Sequence, residues 1–195
     1  MTQAVFILLA YLLGSISFGI LVSRAFGLPD PRTVGSGNPG ATNVLRSGKK
    51  LPAILTLLGD AAKGWLAVFL AQQYGVQDAY ICLAGLAAFI GHLYPVFCGF
   101  KGGKGVATAL GVLLAFSGWL GLSMLAVWAI AFAIWRYSSL AALIAAGVAP
   151  IAAWYLLPYK GYAITAFMLA LLLVWRHKTN IQKLLNGSES GFSKK

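Results

Sequence analysis

The stretch Val106 to Trp135, VATALGVLLAFSGWLGLSMLAVWAIAFAIW, decides how many times this chain crosses a membrane. It is apolar nearly throughout and too long for one ordinary spanning helix, which needs about 20 residues. Ser117-Gly118 near its middle is a turn signal. Read as a hairpin, the stretch holds two helices. The first, over 106–117, then reaches only about 18 Å at a rise of 1.5 Å per residue. It would be short, tilted into the protein, or matched to a thinned bilayer.

Working outward, residues 4–23, 52–73, 79–98, 139–157 and 162–175 are further apolar runs, the second interrupted by Asp60 and Lys63. Of the 195 residues, 59% are hydrophobic and only 10% charged, and mean hydropathy is +0.81. A soluble domain carries roughly 25% charged residues, so too few are present here to cover a water-exposed surface. The reading is all-α: one polytopic integral membrane domain over residues 1–195, with no room for a soluble one. The first run lacks a basic leading region, which predicts a retained helix rather than a cleaved signal peptide.

The net charge of +11 does not point to nucleic acid, because no nucleic-acid motif accompanies it. In a membrane protein, excess Lys and Arg marks the cytoplasmic loops and suits anionic substrates or lipid head groups. With the N-terminus outside, residues 24–51 lie inside and carry Arg24, Arg32, Arg46, Lys49 and Lys50. The loop 99–105 also lies inside, and so does the tail with Arg176, Lys178, Lys183, Lys194 and Lys195. An even number of crossings must then link 106 to 175. Four give seven transmembrane helices, place Arg136 inside and leave only Lys160 outside. Two longer crossings give five, the alternative; seven is preferred, with the C-terminus cytoplasmic.

Three polar segments fall on the inner face. The first is Gly35-Ser36-Gly37-Asn38-Pro39-Gly40-Ala41-Thr42-Asn43-Val44-Leu45-Arg46. The second, within Gly91 to Thr108, is Gly99-Phe100-Lys101-Gly102-Gly103-Lys104-Gly105. The third is Arg176-His177-Lys178-Thr179-Asn180-Ile181. Glycine leaves backbone N–H groups unobstructed, and adjacent N–H groups at a helix start make an anion cradle. Hydroxyls, amides, Arg, Lys and almost no carboxylate bind phosphate well and metal poorly.

Simpler motifs fail. The first segment matches G-x-G-x-x-G, but a membrane helix precedes it and Pro39 interrupts it, against a dinucleotide fold. The second departs from a P-loop: Cys98 stands at the first glycine position and Gly105 where Ser or Thr should follow the lysine. A flexible basic connector does not explain Gly-Gly between two lysines. His177 and Asn180 share a helix face at a spacing of three. Asp60 and Lys63, mid-span, either neutralise each other or serve function. His92 has Phe97 where a His-x4-Asp acyltransferase needs Asp. Cys82 and Cys98 form no C-x-x-C, and Cys98 reads as packing rather than a nucleophile.

Together the three segments resemble the bacterial acyl-phosphate:glycerol-3-phosphate acyltransferases, the PlsY family. Residues 35–44 with Arg46 look like the first motif, Gly91-His92 through Thr108 like the second, and His177, Asn180 and Glu189 like the third. Asp60 with Lys63-Gly64 is similar to a further family element. Lys178-Thr179 stands where members often carry an acidic pair. The resemblance implies transfer of a fatty acyl group from acyl phosphate to the 1-hydroxyl of glycerol 3-phosphate, without cofactor or metal. The products would be lysophosphatidic acid and phosphate, in bacterial phospholipid synthesis. It implies catalytic roles for Ser36, Arg46, Lys104, His177 and Asn180. Gly37, Asn38, Thr42, Asn43, Lys63, Lys101, Gly102, Gly103 and Gly105 would bind substrate. It places the chain in the bacterial inner membrane with the site toward the cytoplasm, in contact with membrane lipid and with no obligate protein partner. The rival expectation is an anion channel or transporter with cytoplasmic phosphate-binding loops; against it, no internal repeat is visible.

Overall fold

The computed structural model describes residues 3–192, and all its regular elements are helical. In chain order they are α1 (Ala4–Gly14), α2 (Phe18–Ala25), α3 (Ala41–Leu45), α4 (Lys50–Gln73), α5 (Asp78–Leu93), a 3₁₀ turn (Val96–Cys98), α6 (Val106–Phe116), α7 (Gly118–Trp135), α8 (Ser138–Leu156), α9 (Lys160–Arg176) and α10 (Lys178–Leu185). Lys194 and Lys195 of the basic tail lie outside the described residues. Five segments are long and apolar enough to cross a membrane: Ala4–Ala25, Lys50–Gln73, Asp78–Cys98, Gly118–Trp135 and Ser138–Leu156. The apolar helix α6 has 11 residues and α9 has 17.

The stretch 106–135 divides at Ser117, as the hairpin reading expects. Ser117 is extended at φ −162°, and its hydroxyl accepts the Leu120 N–H at 3.4 Å, capping α7. The first run forms one candidate span, Ala4–Ala25, as the sequence reading expects, with a break in the helix inside it. Residues 15–17 separate α1 from α2. The Ser15 hydroxyl donates back to the Tyr11 carbonyl at 2.9 Å, a bond that competes with the helix ladder. The break frees the Ile16 carbonyl, which Lys63 Nζ satisfies at 2.7 Å. In lipid such a backbone group has no water to turn to, so an internal donor is required.

Small residues let the helices approach closely. A Cβ at Gly111 would meet the Ala61 carbonyl, and one at Gly64 the Thr108 carbonyl, so α4 and α6 pack backbone to backbone. Large apolar side chains such as Trp119, Ile134 and Ile151 point outward, as a lipid-facing surface requires. The two mid-span charges pair: Lys63 Nζ lies 2.9 Å from Asp60 Oδ1.

Hydrogen bonds gather the polar segments at one end of the bundle. Thr42 Oγ1 is 3.2 Å from Ser138 Oγ, joining the first segment to the start of α8. Arg46 donates to the Ser190 carbonyl at 3.0 Å, and Lys104 donates to Asn180 Oδ1. Arg176 donates to the Gly102 carbonyl at 2.9 Å. Lys160, the first residue of α9, donates to the Trp154 carbonyl at 2.7 Å.

Candidate active site

A cavity of about 570 Å³ opens among the polar segments and continues between α4, α6, α7, α8 and α9. Its mouth is lined by Ser36, Asn38, Thr42, Arg46, Lys104, Ser138, Ser139, His177, Asn180 and Glu189. Deeper it is apolar, with Leu113, Met124, Ala149 and Ala166 among the lining residues. Ser138 and Ala149 lie eleven residues apart on α8, so the cavity runs about 16 Å along the helix. Alanines on α8 and α9 leave the space that larger side chains would fill. A smaller cavity of about 250 Å³ shares Ser36, Asn38 and Lys104 with the mouth and is also lined by Gly37, Gly102, Arg176 and Lys178.

The first segment is held by its own asparagine. Asn43 Nδ2 donates to the Pro31 and Val34 carbonyls at 2.8 and 3.1 Å, and its Oδ1 accepts the Ser36 N–H at 2.9 Å. All these bonds serve the loop, so the geometry gives Asn43 a bracing position. The bracing presents Ser36, Gly37 and Asn38 at the cavity mouths. Asp30 and Arg32 pair at 2.6 Å ahead of it, and Arg32 holds the Asp30 carboxyl below the usual range. Thr42 and Arg46 project from α3 and its end into the mouth.

The second segment turns through left-handed backbone at Gly99 and Gly105, with φ of 61° and 86°. Gly105 precedes the first residue of α6, and Lys104 stands just before it. Among the described residues no protein acceptor meets the N–H groups of Lys104 and Gly105. They are free donors at a helix N-terminus, beside an ammonium. Burial pushes the Lys104 pKa down, while Glu189 pulls it up. Gly102 lines the smaller cavity. Gly103 is buried, its N–H bonded to the His92 carbonyl at 3.1 Å and its own carbonyl accepting from Arg176 at 3.2 Å. Lys101 is exposed and lines neither cavity; Cys98 lines neither as well. Lys63 is buried against Asp60 and the Ile16 carbonyl and reaches neither.

In the third segment His177 lies between α9 and α10, its Nδ1 2.8 Å from the Leu173 carbonyl. A carbonyl only accepts, so Nδ1 carries the proton and Nε2 keeps its lone pair. Burial lowers the His177 pKa to about 4, so the ring is neutral at physiological pH. Asn180 stands between Lys104 and Glu189, donating to Glu189 Oε1 at 2.7 Å. Ser139 donates to the same oxygen at 2.6 Å.

Thus the structure brings Ser36, Arg46, Lys104, His177 and Asn180 to one mouth and leaves Lys63 and Lys101 aside. The sequence reading missed Ser138 and Ser139, whose only local signal is a polar pair opening an apolar run after Arg136. It also did not assign Asp60 and His92 to the cavity, which both line.

The glycerol-3-phosphate acyltransferase family model matches residues 4–187 of this chain. A glycerol-3-phosphate acyltransferase of Methylobacillus flagellatus is 70% identical over 196 residues, covering 100% of both chains. Its counterpart from Thiobacillus denitrificans is 57% identical, again over 100% of both. The crystal structure of PlsY, an integral membrane glycerol 3-phosphate acyltransferase, in its glycerol 3-phosphate form superposes with a TM-score of 0.94 at 40% identity. It covers 99% of this chain and 96% of that one. The lysophosphatidic acid form superposes at 0.92 with 38% identity and the same coverage.

Proposed function

This chain belongs to the glycerol-3-phosphate acyltransferase family, and we propose that it moves a fatty acyl group from acyl phosphate to the 1-hydroxyl of glycerol 3-phosphate. The observation that carries the reading is the continuity of the large cavity. A cationic mouth with free N–H donors passes directly into an apolar channel between helices. That joins the two chemistries of an acyl phosphate in one space. A transport path for an anion would have to stay polar across the bundle.

The hydroxyl oxygen attacks the acyl carbonyl carbon and forms the new ester bond. The bond from that carbon to the phosphate oxygen breaks, and the phosphate leaves with the hydroxyl proton. Lys104, Arg46 and the N–H groups at the start of α6 cancel repulsion between two phosphates at close range. Ser36 and Asn180 sit where they can orient the acceptor. His177, neutral with Nε2 as an acceptor, positions the hydroxyl. Burial disfavours a protonated His177 ring, whereas the donor's phosphate becomes more basic as its bond to the acyl carbon breaks. The donor's own phosphate is therefore the better proton acceptor, and catalysis is mostly positioning and charge stabilisation.

The membrane arrangement follows from the charge pattern. We place the polar end at the cytoplasmic side of a bacterial inner membrane, with seven crossings that include α6 and α9. Residues 1–195 then act as one domain. Glycerol 3-phosphate enters from water while the acyl tail stays among apolar helices.

The test is phosphate release by purified protein given palmitoyl phosphate and glycerol 3-phosphate, with lysophosphatidic acid identified as the second product. Palmitoyl-CoA and an acyl carrier protein thioester serve as rival donors. Equal or faster transfer from a thioester would overturn the donor assignment.

A further inference from the structure

Asp60 and His92 line the large cavity, yet the chemistry above gives them no task. Both are at least nine-tenths buried. Asp60 Oδ1 and His92 Nδ1 lie 3.5 Å apart, and neither makes a directed hydrogen bond. Behind them the Lys63 ammonium touches the same Asp60 oxygen at 2.9 Å and donates to the Ile16 carbonyl at 2.7 Å. The cluster therefore links the break between α1 and α2, the middle of α4 and the end of α5.

His92 meets the glycine loop twice. Its carbonyl accepts the Gly103 N–H at 3.1 Å. Its imidazole abuts Gly103 so closely that a Cβ there would collide with Nε2. The Arg176 guanidinium holds the Gly102 and Gly103 carbonyls at 2.9 and 3.2 Å. Gly103 thus meets both the His92 ring and the Arg176 guanidinium, Gly102 meets the His92 carbonyl, and the next residue is Lys104.

Packing alone does not account for a carboxylate, an ammonium and an imidazole here. Intramembrane charges are costly, and apolar residues of equal volume would fill the same space as well or better. What an apolar residue cannot do is hold an imidazole by charge, as the Asp60 carboxylate 3.5 Å from Nδ1 can.

We propose that His92, held by the Asp60–Lys63 pair, is a positioning residue for acyl transfer: its ring sets the height of Gly102–Gly103, and so the point at which Lys104 meets substrate phosphate. The proposal rests on the acyl-transfer reading of this site.

The experiment uses the full-length protein in detergent, with His92→Asn, Gly103→Ala and the double variant. Asn keeps a donor toward Asp60 but removes the ring edge from Gly103; Ala places a methyl group where that edge stood. Three quantities are read: the Kd for glycerol 3-phosphate by calorimetry, kcat/KM for acyl transfer, and Tm. Each single variant should lose on the order of tenfold to a hundredfold in kcat/KM, the scale of a misplaced catalytic group, and should weaken the Kd. The double variant should lose less than the product of the singles, because the new methyl group occupies the vacated space. Strictly multiplicative losses would overturn the proposal. So would a lower Tm with Kd and kcat/KM of the folded protein unchanged. A wild-type protein that binds glycerol 3-phosphate without transferring acyl groups would sink the parent reading instead. The coupling in Kd would then still decide the positioning role.

Discussion

Asn180 Nδ2 donates to Glu189 Oε1 across 2.7 Å, and this bond settles which way the Asn180 amide faces. An ionised carboxylate only accepts, so the amide nitrogen must turn to Glu189 and the oxygen to Lys104. Ser139 donates to the same Oε1 at 2.6 Å and holds the carboxylate from α8. A residue beyond α10 thereby orients a side chain on α10 toward the lysine at the start of α6.

Glu189→Gln removes the charge and offers a competing donor, so the Asn180 amide loses its fixed sense. kcat/KM should fall about tenfold to a hundredfold, matching one charge-assisted hydrogen bond of ~1.5–3 kcal/mol. Steady-state kinetics check this; an unchanged kcat/KM would remove Glu189 from the site.

Lys104→Ala and Arg46→Ala should each lower kcat/KM on the order of a hundredfold to a thousandfold, the usual loss when one donor to developing charge is deleted. Arg46 now donates to the Ser190 carbonyl at 3.0 Å, which substrate phosphate would displace. Lys104→Arg should not restore the rate, since a planar fork does not replace a compact ammonium packed beside Asn180. Near-normal rates in both alanine variants, with the fold intact by circular dichroism, would refute the phosphate assignment.

His177 carries two pH predictions. Its folded pKa is about 4, below the unperturbed ~6.5. The unfolded chain therefore binds more protons between these values. Stability is fully present above ~6.5 and is lost as pH falls through about 4, by on the order of 3 kcal/mol. Tm measured from pH 7 to 4 should decline, and His177→Asn should flatten that decline. In kcat/KM, which reports the free enzyme, no acidic limb near ~6.5 should belong to His177. The profile of His177→Asn should keep the wild-type shape at a reduced rate. A limb near ~6.5 that vanishes in the variant would instead make His177 the base.

Sidedness is checked by labelling. Gly37→Cys and Lys101→Cys should react only with a reagent on the cytoplasmic side, and Gln77→Cys only from outside. Labelling of positions 37 and 101 from opposite sides would contradict a single-ended site.

Much of the site was legible because its residues cluster along the chain. Ser36, Arg46, Lys104, His177 and Asn180 stand in three short segments whose glycines, amides and cations already describe an anion site, and the cavity mouth collects all of them. Asn43 also lines the cavity, yet its amide bonds go to the loop, to the Pro31 and Val34 carbonyls and the Ser36 N–H. Lys63 meets Asp60, the pair the sequence announces, and also the Ile16 carbonyl, which no local pattern announces. The sequence pairs Asp60 with Lys63 and sets His92 at the head of the second motif, but only the packing of α4 against α5 makes Asp60 and His92 neighbours.

By itself the sequence determined that this protein is an all-helical membrane protein with its polar chemistry gathered in three segments. Hydropathy and charge are sums over neighbouring residues, so a linear reading captures them. The tertiary structure alone decided where the first apolar run breaks, which polar residues brace loops and which face the cavity. It also decided that an alanine-lined channel continues from the cationic mouth. In lipid, each freed carbonyl and buried charge must find a partner inside the protein. Those partners lie far away in sequence, 47 residues from Lys63 to Ile16 and 96 from Thr42 to Ser138, so only the folded chain reveals them.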